Sequence, residues 1–212
     1  MTINDIPNQI INGRLTPLAL SGVDCIVLHH MAHKTADVKT VEQWHIQNGW
    51  NAIGYNYWIG FDGTVYRGRG LNVGAAVLNN NSHCISIGFQ GDYESNAQSM
   101  PDAQFNAGVE LILYLMQEVK SVKKIVGHKY FGGSVCPGRY FPLEEMQKLK
   151  KREDDEMIYN YIDENMPRWA RETIKKLVDK GYLKGDENGE LGLNDTMLKV
   201  FVVNDRAGLY DR

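Results

Sequence analysis

Three short runs, DCIVLHH at 24–30, HCISIGFQG at 83–91 and KKIVGH at 123–128, set the strongest limit on what this chain can fold into. Each is brief and β-branched or apolar, the signature of a buried strand. Helical patterns lie between them. DVKTVEQWHIQNGW (37–50) places Val41, Trp44 and His45 on one helical face, with Thr40 and Gln43 at capping-box spacing and Asn48-Gly49 as the stop. GYNYWIGFDGTVYRG (54–68) reads as a hairpin, because two aromatic-rich runs flank Asp62-Gly63, a dipeptide suited to a turn with positive φ. Ser99 and Asp102 form a second capping-box pattern, opening a long helix in which Phe105, Val109, Ile112, Leu113 and Met116 recur at helical period. PLEEMQKLKKRED (142–154) is a further helix, with acids first and bases last to match its dipole. The expected fold for residues 1–152 is therefore α/β, a mixed central β-sheet flanked by helices.

The chain's 212 residues suffice for one good domain and a small appendage. A net charge of −3 offers no general attraction to nucleic acid or to an anionic membrane. No segment approaches the roughly 20 apolar residues of a membrane span. The N-terminal stretch carries Asp5 early and has no uninterrupted apolar core, so no secretory signal is expected and synthesis in the cytosol follows. Three cysteines, Cys25, Cys84 and Cys136, are too few for a disulfide framework and stay available as ligands.

Composition shifts at KLKKREDDEM (148–157), a charged linker or exposed helix end. Beyond it, residues 157–212 form a small helical segment: an amphipathic helix with Ala170, Ile174, Leu177 and Val178 on one face, the turn-rich loop GDENGELGL, and a second helix capped by Asn194 or Asp195. Two helices build little core alone, so this segment is expected to dock on the first domain or on another copy.

His128 and Cys136 stand seven residues apart in a chain with six histidines. A catalytic zinc takes three protein ligands and keeps a fourth position open. The third would come from the end of a neighbouring strand, where IVLHH offers His29 or His30. Alternation lets only one of them share a face with Val27, and spacing does not choose between them. By itself the pattern is weak: a buried free cysteine is more often a small hydrophobe, and a strand-end histidine more often structural.

IVLHH, VEQWHIQNGWNAIGYNYWIGFDGTVYRGRG, NNNSHCISIGF and IVGHKYFGGSVCPG lie in the order and spacing of the zinc-dependent N-acetylmuramoyl-L-alanine amidases. Residues 20–150 resemble that superfamily, which includes phage endolysins and the peptidoglycan recognition proteins. The resemblance implies His29, His128 and Cys136 as ligands of Zn²⁺, Tyr55 as a donor near the metal, and bacterial peptidoglycan as the substrate. Two neutral imidazoles and a thiolate leave such a site at net +1, which acidifies a bound water and polarises an amide carbonyl. Ser134 stands where many relatives have lysine or threonine, and is a weaker oxyanion donor than lysine. Gln90 stands nearest the position of a general-base glutamate and takes no proton; Ala76 stands where many relatives have histidine. His30 is expected to line the cleft, and Arg67 and Arg69 to meet substrate carboxylates. His45 is expected to pack and make one structural hydrogen bond, and His33 and His83 to be solvated.

The implied activity is hydrolysis of the amide between N-acetylmuramic acid and L-alanine, by a phage or prophage endolysin that accumulates in the cytosol and reaches the wall after a holin permeabilises the membrane. The alternatives are a recognition module that binds without cutting, whose known examples lack the cysteine, and a cytosolic wall-recycling amidase. The segment from Trp169 to Gly208 resembles one S-layer-homology-like unit, implying a secondary wall polymer as partner. A homo-oligomer formed through its helices is the competing expectation.

Overall fold

The computed structural model describes residues 1–95, 99–150 and 158–211. The chain forms two compact units, Met1–Lys151 and Arg152–Arg212. Six strands build the sheet of the first: β1 (Ile3–Asp5), β2 (Cys25–His30), β3 (Tyr57–Ile59), β4 (Val65–Arg67), β5 (Cys84–Phe89) and β6 (Lys124–Gly127). Their spatial order is β1-β4-β3-β5-β2-β6. Only the hairpin pair β3–β4 is antiparallel; the other neighbours run parallel. All six residues of β2 and all six of β5 are buried, as strands covered on both faces must be. In the hairpin, Gly63 carries the positive φ of +80°, and the Gly60 amide bonds the Thr64 carbonyl at 3.0 Å.

Alternation along β2 sends Ile26 and Leu28 to one face and Cys25, Val27 and His29 to the other. Helix α2 (Asp102–Glu118) covers the first face with Leu111, Ile112, Leu115 and Met116. Each such side chain contributes about 1.5–3 kcal/mol by leaving water. The buried stripe is Gln104, Gly108, Leu111, Ile112, Leu115 and Met116, so the expected face through Phe105, Val109 and Leu113 is rotated by one residue. Gly108 explains the rotation: a Cβ there would stand 2.7 Å from the Phe89 ring, so only this glycine lets the helix settle on that strand. Gln104 is tolerated inside because its amide donates to the Ile59 and Gln90 carbonyls at 3.0 Å and accepts from the Tyr93 hydroxyl. The cap of α2 is Pro101, without a side-chain bond, and not Ser99.

On the opposite face lies α1 (Val38–Gln47), whose Val38 and Val41 pack with Ile53 and Trp58. Its cap is Asp37, which accepts the Thr40 amide at 2.8 Å; Thr40 itself is one turn inside. Trp44 is 38% exposed, and Glu42 is fully buried on the inner side of the helix. Glu42 accepts the Ile10 amide at 2.9 Å and pairs with Lys39, which fastens the N-terminal arm to the helix. Helix α3 (Leu143–Gln147) is only five residues long, so its expected basic end is not helical at Lys148–Lys150 and otherwise lies, with most of the charged linker, outside the described residues.

In the second unit, α4 (Arg168–Asp179) and α5 (Asp195–Arg206) enclose a core of their own made by Tyr159, Met166, Ala170, Ile174, Leu177, Leu193, Leu198 and Val202. The segment before α4 and the loop between the helices add Tyr159, Met166 and Leu193 to that core. Asn194 caps α5 through the Met197 amide at 2.8 Å. Asp205 ties the helices by accepting from Thr173 at 2.8 Å and Lys176 at 2.7 Å. Among the described residues, no helix is long and apolar enough to cross a membrane.

Candidate metal centre

Parallel pairing of β2 with β6 matches Leu28 with Gly127. The next residue along each chain is a histidine, His29 one residue before the end of β2 and His128 just past the end of β6, at the carboxyl ends where open α/β sheets hold their ligands. The rings of His29 and His128 consequently lie 4.6 Å apart, inclined at 49°. His29 is 2% exposed, and its Nε2 is the one buried side-chain nitrogen or oxygen among the described residues without a hydrogen-bond partner. An uncompensated buried ring nitrogen costs about 1–3 kcal/mol unless something accepts its lone pair. Burial, followed by neighbouring His128 and His30, holds the His29 pKa well below its ordinary value, so the lone pair is exposed at neutral pH.

Cys136 arrives from the loop after β6. The loop is closed by the Lys129 amide on the Cys136 carbonyl at 2.7 Å and by the Cys136 amide on Ser134 Oγ at 3.1 Å. The backbone amide of His30 donates to Cys136 Sγ at 3.4 Å. Burial pushes the thiol up to about 11, with that amide pulling the other way. One ligand atom from each of His29, His128 and Cys136 falls within 4.8 Å of the other two. Two neutral nitrogens and one sulfur at strand ends are a donor set suited to zinc, and the orphaned Nε2 is the atom such an ion would satisfy.

A cleft of about 420 Å³ opens over these three side chains, with His45, Trp50, Tyr55, Ala76 and Ser134 among its walls. Tyr55 lies 5.2 Å from the His29 ring. Gly88, the register partner of both His29 and Trp58, makes this approach feasible, since a Cβ there would stand 3.0 Å from the Tyr55 ring. Burial, then the charge of Cys136, raises the Tyr55 phenol, which therefore stays a neutral donor at physiological pH. His30 points to the α2 face: its Nδ1 accepts the Tyr93 amide at 3.0 Å and stands 3.7 Å from Asp92, while its backbone borders the cleft. Arg67 is exposed on β4 and pairs with Asp5 at 3.3 Å. Arg69 does not face a substrate. It is 8% exposed and spends its guanidinium on the Ile53, Ala52 and Val73 carbonyls and the Asn51 side chain, so the expectation of a carboxylate-binding arginine is corrected. Gln90 is likewise structural, accepting the Phe61 amide at 3.0 Å and donating to the Thr35 carbonyl at 3.1 Å.

Two walls escaped notice in the sequence. His45 makes the structural hydrogen bond expected of it, its Nδ1 accepting the Gly54 amide at 3.1 Å. Its ring also stacks on Trp50 at 4.5 Å and borders the cleft, which only the return of residues 50–55 against α1 brings about. His33 is not merely solvated, since its Nδ1 accepts the Thr35 and Ala36 amides, and His83 bonds Asp24 at 2.9 Å.

The family model described as N-acetylmuramoyl-L-alanine amidase matches residues 19–139, 121 of the 212 residues. This chain belongs to that family. The amidase-family chain is 36% identical over 124 residues to peptidoglycan-recognition protein SC2 of Drosophila melanogaster, a match covering 53% of this chain and 66% of that protein, or just under two thirds of its length. It is 31% identical over 158 residues to peptidoglycan-recognition protein 3 of Holotrichia diomphalia, covering 70% of this chain and 75% of the relative. Among solved structures it resembles the endolysin N-acetylmuramoyl-L-alanine amidase LysCS from Clostridium intestinale, at a TM-score of 0.61 and 26% identity over 68% of this chain and 92% of that one. The bumblebee recognition protein SA, at a TM-score of 0.60 and 22% identity over 71% and 96%, shares the fold. These four matches cover between 53% and 71% of this chain.

Proposed function

We propose that this amidase-family chain is a zinc-dependent hydrolase that cleaves the amide between N-acetylmuramic acid and L-alanine in bacterial peptidoglycan. The single observation that carries the reading is the buried, unpartnered Nε2 of His29 gathered with His128 and Cys136. Zinc held there supplies Lewis acidity for the scissile carbonyl and an acidified water as nucleophile. The protein's own groups supply the rest. Tyr55, neutral and beside His29, donates to the oxygen that gains negative charge as the amide is attacked. The His30 amide holds the Cys136 sulfur and fixes its charge beside the two imidazoles. Ser134 accepts the Cys136 amide, so its hydroxyl proton remains available to the cleft as a second, weaker donor. Gln90 is bonded away from the cleft and takes no part.

A recognition module would need the same cleft without the nucleophile. Cys136, with both histidines, favours cleavage over binding alone. The biological setting we infer is that of an endolysin released onto the wall from the cytosol, in keeping with the fold shared with a clostridial endolysin. The second unit closes a core of its own, and we infer from its S-layer-like sequence that it targets a secondary wall polymer. Removing residues 157–212 should then weaken sedimentation with intact walls while leaving turnover on soluble muropeptides unchanged. The deciding experiment treats purified walls with the protein, with and without a chelator, and measures new reducing sugar and new N-terminal alanine. Alanine termini without sugar ends, lost on chelation and regained with Zn²⁺, support the proposal. Sugar ends in place of alanine termini would mark a glycosidase and end it.

A further inference from the structure

We propose that Arg69 is the positioning residue for Tyr55, acting from beneath the cleft through the loop 51–55; this rests on the donor role given to Tyr55 above. The loop between α1 and β3 has no regular secondary structure, yet it carries the cleft's phenol. Its carbonyls turn inward, where water cannot satisfy them. Arg69 meets them in sequence: Nη2 donates to Asn51 Oδ1 at 2.8 Å and to the Ala52 carbonyl at 3.3 Å, and Nε to the Ile53 carbonyl at 2.7 Å. Nη1 ties the same cluster to the Val73 carbonyl at 3.2 Å. The backbone closes the clamp, with the Arg69 amide on the Tyr55 carbonyl at 2.9 Å.

The flanking residues admit no alternative course for the chain. A Cβ on Gly68 would lie 2.3 Å from the Tyr55 carbonyl oxygen, so the bend that carries Arg69 approaches Tyr55 as closely as a glycine permits. Asn56, fully buried, donates to the Gly70 and Asn72 carbonyls at 2.7 Å and accepts the Ser86 amide at 2.9 Å, which pins the residue after Tyr55 to β5. No carboxylate pairs with the Arg69 guanidinium among the described residues; its charge is met by oxygen dipoles alone. A planar fork with five donors can serve three consecutive residues and a fourth across the gap, and a lysine, with its single point charge, cannot. Tyr55 thus owes its position to a side chain that never enters the cleft.

The test uses the full chain loaded with zinc. Arg69→Gln should lower kcat roughly 10²-fold, the loss typical of removing one oxyanion donor, with zinc content unchanged and KM altered less than the rate. In a Tyr55→Phe background the same substitution should add little further loss, because the two changes remove one function. Hydrogen–deuterium exchange should quicken in peptides covering 51–55 and stay slow in those covering 25–30 and 84–89. Where Tyr55→Phe itself is impaired, wild-type kcat in Arg69→Gln, or losses that multiply in the double variant, would overturn the proposal. Unchanged exchange at 51–55 overturns it whatever the rate. A fully active Tyr55→Phe variant, with exchange accelerated in Arg69→Gln, removes the chemistry assigned to Tyr55 and leaves the clamp supported. If Arg69→Gln does not fold, Arg69→Lys, keeping the charge without the fork, is read by the same measurements and should not rescue kcat.

Discussion

His29 and His30 are consecutive, both buried, and opposite in fate. His30 turns to the α2 face, where its Nδ1 accepts a backbone amide and the ring becomes part of the scaffold. His29 turns to the other face with a nitrogen that nothing in the protein satisfies. The difference extends to the whole sheet. Its α2 face is filled by Leu111, Ile112, Leu115 and Phe89, and the fully buried Gln104 there is bonded by its amide and its oxygen. Its cleft face leaves a gap where three donor atoms converge and Gly88 removes a side chain to admit Tyr55. One face stores stability; the other leaves the His29 Nε2 unsatisfied so that something else can satisfy it.

The two histidines give the sharpest break. His29→Ala should abolish zinc retention and wall hydrolysis while the chain stays folded, since the substitution removes an uncompensated group. His30→Ala should keep a zinc atom per chain and lose about 1–3 kcal/mol of stability, because the Tyr93 amide is left without its acceptor. Metal analysis and urea denaturation on the same preparations decide it. Reversed results would show that the faces have been assigned the wrong way round. Next in size, Tyr55→Phe should cut kcat about 10²- to 10³-fold at full zinc content, the effect of one lost oxyanion donor. A change confined to KM would make Tyr55 a binding residue instead.

On the other face, Leu115→Ala should cost about 2–5 kcal/mol, since a fully buried side chain leaves a cavity against the sheet. The folded fraction should keep wild-type kcat. Coupled loss of rate in that fraction would mean that the two faces are not independent.

How much of this could be read beforehand follows from which interactions are local. The strands are legible because β2 and β5 are short, largely apolar or β-branched runs, and the hairpin because Asp62-Gly63 announces its turn. Caps were harder: Thr40 and Gln43 have the right spacing, but Asp37 precedes them and offers a carboxylate, a stronger acceptor. The phase of α2 could not be read, because Gly108 counts as weak in any propensity scale and matters only through Phe89 across the gap. At the site, His128 and Cys136 were visible as scarce residue types, whereas the choice of His29 over His30 came from resemblance alone. Arg69 misled for a physical reason. An arginine in a glycine-rich turn reads as free to meet a substrate carboxylate until the carbonyls of a loop 16 residues away are seen to turn towards it.

The smallest expected effect concerns His45, at the border between the cleft and α1. Burial, and after it the charge of Arg69, hold its pKa down to about 4. Its ring is held neutral by geometry as well, since Nδ1 accepts the Gly54 amide and a proton there would break that bond. In the unfolded chain the same group titrates near 6.5. Between those values the unfolded state binds the extra proton, so this contribution to stability is whole above pH 6.5 and falls as the pH drops towards 4. Allowing for the partly exposed ring, the loss amounts to roughly 1–2 kcal/mol. His29, His30 and His128 are lowered too and share this sign, so the wild-type curve alone cannot isolate His45. His45→Gln can, because a glutamine oxygen still accepts from Gly54 but does not titrate. Urea unfolding of both proteins from pH 7 to 4 should give stability curves that converge towards acid, and curves that run parallel would show that His45 is solvated and that the wall it forms with Trp50 is open.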